Sequence, residues 1–281
     1  MLLKLVKFLF VLVLAAAVFG GGGYWAWKAW FAPPQLVGAE PDAPPPPVPV
    51  EPPDPGAPLF QKAVDARAAG SAEVALEALH QLLAEFPGSP KASEARRLLS
   101  EAQVAAFFRS EGEEHAVARG ETLVAIASKH KTNAELIFRA NNLENTVLQI
   151  GQKLRVPRGD FSIRIDRATG AVRLFRSDRF FCEYPATAHK LPAGGAGAGA
   201  VTERISWRAG QRVAFGLKEY ADATRWVSVN QPPMTLYTDW ESAGVADRND
   251  ARKPANGVGL APESMDELFV LVGRGTPVRI E

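Results

Sequence analysis

The sequence HAVARGETLVAIASKHKTNAELIFRANNLENTVLQIGQKLRVP, from His115 to Pro157, changes its periodicity at each of its landmarks. It opens with HAVARGETL, a polar-apolar alternation that breaks at Gly120. Leu123, Ile126 and Ala127 then recur at helical intervals, and so do Leu136, Ile137 and Ala140. Thr122 and Thr132 stand just ahead of these two runs, where an N-cap oxygen would accept a free backbone N–H. In the closing IGQKLRVP, Leu154 and Val156 alternate with Lys153 and Arg155, the period of a half-buried strand, and Pro157 ends it. The spacing therefore predicts strand, helix, helix, strand.

This stretch resembles a LysM domain, the small module that binds N-acetylglucosamine-containing glycans such as peptidoglycan and chitin. His115, Val117, the Gly120-Glu121-Thr122-Leu123 turn, Ile126, Ala127, Asn141, Leu143, Leu148 and the Gly151-Gln152-x-Leu154-x-Val156-Pro157 ending carry the likeness. Glu121 stands where the family more often has Asp. The resemblance implies a shallow glycan-binding groove with Gly120, Glu121, Thr122 and Leu123 on one wall. Leu148, Gln149, Ile150 and Gly151 form the other. Backbone amides and a Thr hydroxyl can bond acetamido groups, while Leu and Ile supply an apolar floor. Leu123 and Ile150 read equally well as core.

Upstream, residues 59–110 read as a helical segment. Gly70 ends a first helix. Ser71 caps a second with Val74, Ala75, Leu76, Leu79, Leu82 and Leu83 on one face. Ser89-Pro90 opens a third that buries Ala95, Leu98, Leu99 and Ala102. The run AAGSAEVALEALHQLLAEFPGSPKASEARRLL resembles one tetratricopeptide-type repeat with part of another, fewer than the roughly three copies a solenoid needs. It reads as a partner-recruiting groove or as a plain three-helix spacer or dimerisation element. His80 reads as a surface histidine. Residues 33–58 form a proline-rich linker whose extended conformation reaches on the order of 80 Å at ~3.1 Å per residue. Residues 1–32 read as a transmembrane signal anchor. Lys4 and Lys7 precede an apolar run over residues 8–27, and Tyr24, Trp25, Trp27 and Trp30 suit the interface. A cleaved signal peptide is the competing reading, since Ala15 to Ala17 could precede a cleavage site. The anchor reading places the N-terminus in the cytoplasm, and on either reading everything after Pro33 is exported.

Downstream, residues 160–281 turn to β. Ile163 and Ile165, Val172 and Leu174, and the run Phe180 to Tyr184 read as three strands, and Pro262 to Val272 as a helix before a last strand. This part resembles the L,D-transpeptidase catalytic domain. The likeness rests on the Ile-x-Ile and Val-x-Leu-Phe strands, on Gly259-Leu260-Ala261-Pro262-Glu263 with Met265, Glu267 and Leu268, and on Gly275-Thr276-Pro277-Val278. The centre departs from the family. Its nucleophilic cysteine position falls on Gly257, with Val258 and Gly259 where isoleucine and arginine belong. Leu236, Tyr237 and Thr238 occupy the place of its His-Gly pair. Thiol catalysis needs a sulfur activated by a base, so the resemblance implies a catalytically inactive homologue and no catalytic residue. The lone Cys182, between aromatics and beside Glu183, reads as a small buried hydrophobe. Leu191 to Ala200 reads as a flexible loop. Arg204, Arg208, Arg212, Lys218 and Arg225 line either an acidic-ligand cleft or a solvated sheet face.

The chain is thus expected to be a multi-domain α+β protein with the parts 1–32, 33–58, 59–110, 114–158 and 160–281. Its 281 residues carry a net charge of +1, which argues against a nucleic-acid partner. One cysteine excludes an intramolecular disulfide framework, and four scattered histidines offer no metal site. No cofactor is expected. The expected partners are peptidoglycan glycan strands, the membrane through residues 8–27, and an envelope protein at the helices. The expected location is the cell envelope, on the cytoplasmic membrane. The function read first is peptidoglycan binding. A divergent active transpeptidase and an envelope scaffold are the alternatives.

Overall fold

A computed structural model describes residues 53–193, 198–244 and 254–281. The expected anchor at 1–32, the linker as far as residue 52 and residues 194–197 of the glycine-rich loop lie outside them. Among the described residues no helix is long and apolar enough to cross a membrane. The described chain is mixed α+β, and its C-terminal part is mainly β.

Three helices come first: α1 (Ala57–Ala68), α2 (Ala72–Glu85) and α3 (Ala92–Ser110). Pro58 falls in the first turn of α1, where a missing backbone N–H leaves no hydrogen bond unmade. Phe60, Ala63, Ala78, Leu79, Leu82, Ala95 and Leu99 pack into one small core. Two positions differ from the expected apolar faces: Val74 and Ala102 are exposed. His80, expected on the surface, is half-buried.

The second half of α3 leaves this cluster and enters a larger one. Phe107 is fully buried, with its ring 5.5 Å from Phe161 and 5.8 Å from Phe181. Gln103 Nε2 donates to the carbonyls of Phe181 (3.1 Å) and Phe180 (3.3 Å), and Glu183 N donates to Ser100 Oγ at 3.0 Å. These backbone groups belong to the outermost strand of the sheet. The helix therefore satisfies an edge that would otherwise present unpaired N–H and C=O groups.

Next come β1 (Glu113–Ala116), α4 (Leu123–His130), α5 (Ala134–Ala140) and β2 (Lys153–Val156), with β1 and β2 antiparallel. This is the order that the periodicity predicts. Thr122 caps α4, its Oγ1 accepting from Ala125 N at 3.2 Å. The second cap is a correction: Asn133, not Thr132, accepts from Leu136 N at 2.7 Å. Thr132 instead donates its hydroxyl to Pro157 O at 2.9 Å, so its oxygen ties the end of β2 rather than the helix. Asn141 Nδ2 donates to Ile137 O and Arg155 O, and its Oδ1 accepts from Arg155 N, which fastens α5 to β2.

The remaining strands are β3 (Phe161–Ile165), β4 (Val172–Arg176), β5 (Arg179–Tyr184), β6 (Ala186–Lys190), β7 (Ala198–Arg208), β8 (Gln211–Arg212), β9 (Thr224–Val229), β10 (Met234–Thr238), β11 (Gly257–Leu260) and β12 (Pro277–Ile280). They form one ten-stranded sheet in the order β5-β4-β3-β12-β7-β9-β10-β11-β6, with β8 on β7. Two pairs, β3 with β12 and β10 with β11, are parallel. β5 and β6 lie at opposite ends of this order, yet only Pro185 separates them in sequence, so the strand path curls back on itself. Helix α6 (Pro262–Leu271) buries Met265, Leu268, Phe269 and Leu271 against it. The expected loop at Leu191 to Ala200 is shorter than its composition suggests, because Ala198–Ala200 already belong to β7.

Helix α5 joins the two-stranded unit to the large sheet. Leu136 is part of the sheet's core cluster. Asn133 Nδ2 donates to Val270 O at 2.7 Å, and Arg139 pairs with Glu267 at 3.4 Å. Glu135 takes Tyr220 Oη at 3.0 Å and Arg204 at 3.3 Å.

Candidate functional site

The two walls of the expected groove meet at Val117. Its N–H donates to Gln152 O at 2.9 Å, and its carbonyl accepts from Gly151 N at 2.8 Å. From there the chain turns at Gly120 (φ +82°), and the opposite wall turns at Gly151 (φ +81°). Both angles are in the left-handed region that a side chain disfavours. The eight expected residues are therefore held in two adjacent turns on fixed backbone.

They divide by what they do there. Glu121 is engaged internally: Oε2 accepts from Ala118 N at 2.8 Å and lies 2.8 Å from His115 Nε2. The Ala118 N–H and then His115 hold its carboxyl below the usual carboxylate value of 4.5. Leu123, only 2% exposed, is core, and Leu148 packs against the same cluster. Ile150 is 71% exposed. Of the two residues the sequence left open, then, one is core and one is presented to solvent. Thr122 Oγ1 accepts the cap bond and keeps its own proton to donate. Gln149 is exposed, with its backbone N–H held by Gln152 Oε1 at 3.0 Å.

Two residues escaped the sequence reading. Val124 and Val147 are 65% and 79% exposed, one following each wall's expected residues or preceding them. Both carry a weak signal in sequence: Val124 falls off the Leu123-Ile126-Ala127 stripe, and Val147 directly follows the mostly polar NNLENT run. With Ile150 they leave three apolar side chains exposed in or beside the two turns. Such a surface suits the methyl and ring faces of an acetylated sugar, with backbone amides beside it for the carbonyl.

The central segment of the sheet is arranged differently. Gly257, Val258 and Gly259 lie in β11, buried between β10 and β6. A Cβ on Gly257 would be driven into the carbonyl oxygen of Thr235. A Cβ on Gly259 would meet the Tyr237 ring at 3.1 Å. The segment is closed by the neighbouring strand β10, through the Thr235 carbonyl at Gly257 and the Tyr237 ring at Gly259.

Cys182 is 1% exposed within the sheet core, and burial raises its thiol pKa far above the ordinary value. His189 is on β6, in register with Val258. β5 and β6 share no ladder. The basic residues of β7 to β9 each face an acid: Arg204 with Glu135, Arg208 with Asp222, Arg212 with Glu203 and Arg225 with Asp266. Lys218 is exposed.

Residues 115–157 match the LysM domain family. No curated protein sequence matches the chain at a significant level. Among solved structures, the fold is similar to an L,D-transpeptidase from Mycobacterium smegmatis at 13% identity and a TM-score of 0.30, over 47% of this chain and 64% of that one. An Enterococcus faecium L,D-transpeptidase variant aligns at 17% identity and a TM-score of 0.28, over 48% of this chain and 56% of that one. L,D-transpeptidase 1 of Mycobacterium tuberculosis aligns at 12% identity and a TM-score of 0.28, over 48% and 68%.

Proposed function

We propose that this chain is a peptidoglycan-binding protein of the cell envelope whose C-terminal β part is catalytically silent. The observation that carries the reading is the LysM turn pair. Its polar side chain Glu121 is consumed in holding the turn, while Ile150, Val124 and Val147 are left exposed around backbone that can bond an acetamido group. The likeness of the C-terminal sequence to L,D-transpeptidases makes Gly257 the position of the missing thiol. The Thr235 carbonyl against Gly257 supports a site that has been filled in rather than merely mutated. The buried Cys182 offers no replacement, because its thiolate would have no solvent and no base. On this reading residues 8–27 serve as the membrane anchor.

The test is co-sedimentation of the full chain, in mild detergent, with purified peptidoglycan sacculi. Val124→Ser with Ile150→Ser and Cys182→Ala are run beside it, and the supernatant is assayed for stem-peptide products. Binding lost in the double serine variant, with no products from any form, is the expected result. Products that disappear with Cys182→Ala would overturn the silent β part. Sedimentation unchanged in the double variant would overturn the groove.

A further inference from the structure

A second cleft, of about 640 Å3, opens between the LysM unit and the sheet. Its volume is within the roughly 300–1,000 Å3 usual for small-molecule sites. One wall is the Asn142–Thr146 part of the loop whose other end, Leu148 to Gly151, is a wall of the LysM groove. The facing wall is the segment from Phe215 to Ala221. Between them stand aromatic rings set edge to face, Phe138 to Phe215 at 5.5 Å and Phe215 to Tyr220 at 5.4 Å. Leu217, 55% exposed, forms the lip.

The inner charges of this cleft are neutralised within the protein, while Glu144 and Lys218, of opposite sign, stand at its rim. Arg225 pairs with Asp266 at 3.2 Å, Arg139 with Glu267 at 3.4 Å, and Glu135 with Arg204 at 3.3 Å. An ionic ligand therefore gains little net attraction there. A neutral polyhydroxyl ligand gains much more, because paired charges remain good donors and acceptors and half-buried rings offer flat apolar faces. Asn142 and Glu144 have no side-chain hydrogen bond among the described residues and add further polar groups at the rim.

We infer that this cleft is a second carbohydrate subsite, so that one glycan strand is held first in the LysM groove and then, past the shared loop, between the LysM unit and the sheet. The inference rests on the reading of the LysM groove as the first subsite. It makes the protein a reader of glycan length.

The experiment is calorimetric titration of the full chain with N-acetylglucosamine oligomers, from disaccharide to octasaccharide. Three variants accompany it: Leu217→Ser with Glu144→Ala to trim the cleft, Ala221→Arg to fill its mouth, and Val124→Ser with Ile150→Ser in the groove. Wild type should tighten with length. Both cleft variants should keep the disaccharide affinity and lose about tenfold on the octasaccharide, the equivalent of roughly 1.4 kcal/mol. Cleft variants that match wild type at every length would overturn the second subsite and leave the groove intact. A groove variant that binds normally while the cleft variants fail would overturn the first subsite, and with it the passage of one strand from groove to cleft. A sugar-free stem peptide that displaces the octasaccharide from the wild type but not from the cleft variants would reassign the cleft to peptide.

Discussion

His130 Nε2 lies 3.2 Å from His115 Nδ1, and the other nitrogen of His115 lies 2.8 Å from Glu121 Oε2. An ionised carboxylate only accepts, so His115 must carry its proton on Nε2. Its Nδ1 is then the acceptor for the Nε2–H of His130. The Gly120–Glu121 turn of the LysM unit is thus fastened, through two imidazoles, to the end of α4. Long-range proton–nitrogen NMR in mildly alkaline buffer should find His115 as the Nε2–H tautomer. Finding the Nδ1–H form would mean that Glu121 is not held this way.

Glu121 also sets an acid limit. Its carboxyl is held below the ordinary 4.5 in the folded chain, by Ala118 N–H first and His115 second. The contribution to stability is therefore complete above that ordinary value and is lost as pH falls through the lowered one. Glu121→Gln should melt below wild type near neutral pH, and the two curves should converge in acid. Parallel curves across the whole range would remove Glu121 from the argument.

Gly257→Ala should destabilise the protein by about 1–3 kcal/mol, the usual range for overpacking a tight interior. Urea unfolding measures it. Gly257→Cys should suffer the same loss and acquire no transpeptidase activity. A stable, active cysteine variant would show that β11 can move away from Thr235.

Leu123→Ala and Ile150→Ala separate framework from surface. The first should cost about 2–5 kcal/mol as a core truncation. The second should stay within about 0.5 kcal/mol, as surface changes do, while weakening sedimentation with sacculi. Equal stability losses would place Ile150 in the core.

The LysM unit was legible because its determinants are local. The Leu123-Ile126-Ala127 and Leu136-Ile137-Ala140 stripes, the Thr122 cap and the Leu154-Val156 alternation each lie within one element. The exchange of Thr132 for Asn133 as a cap was not legible, because both residues can cap. The choice depends on Pro157 O, which lies 2.9 Å from the Thr132 hydroxyl across the fold. Nor could Phe107 be placed, since its partners Phe161 and Phe181 are distant in sequence. Leu123 and Ile150 are equivalent by hydrophobicity, and only their burial in the folded chain divides core from surface. The arginines of β7 and β9 looked like a basic patch because their acidic partners, Glu135 and Asp266, come from other segments.

Helix α5 has one further consequence. Through Leu136 in the sheet core, Asn133 on Val270 and Arg139 on Glu267, it ties the LysM unit to the sheet at three points. Binding modules strung on flexible linkers gain from each other only at a local concentration diluted by the linker's excursions. Here that dilution is absent. On the proposed reading, a strand captured at Ile150 meets the neighbouring surface at an angle and distance set when the chain folded, and the molecule then works as a fixed gauge laid along the glycan rather than as a hook on a tether.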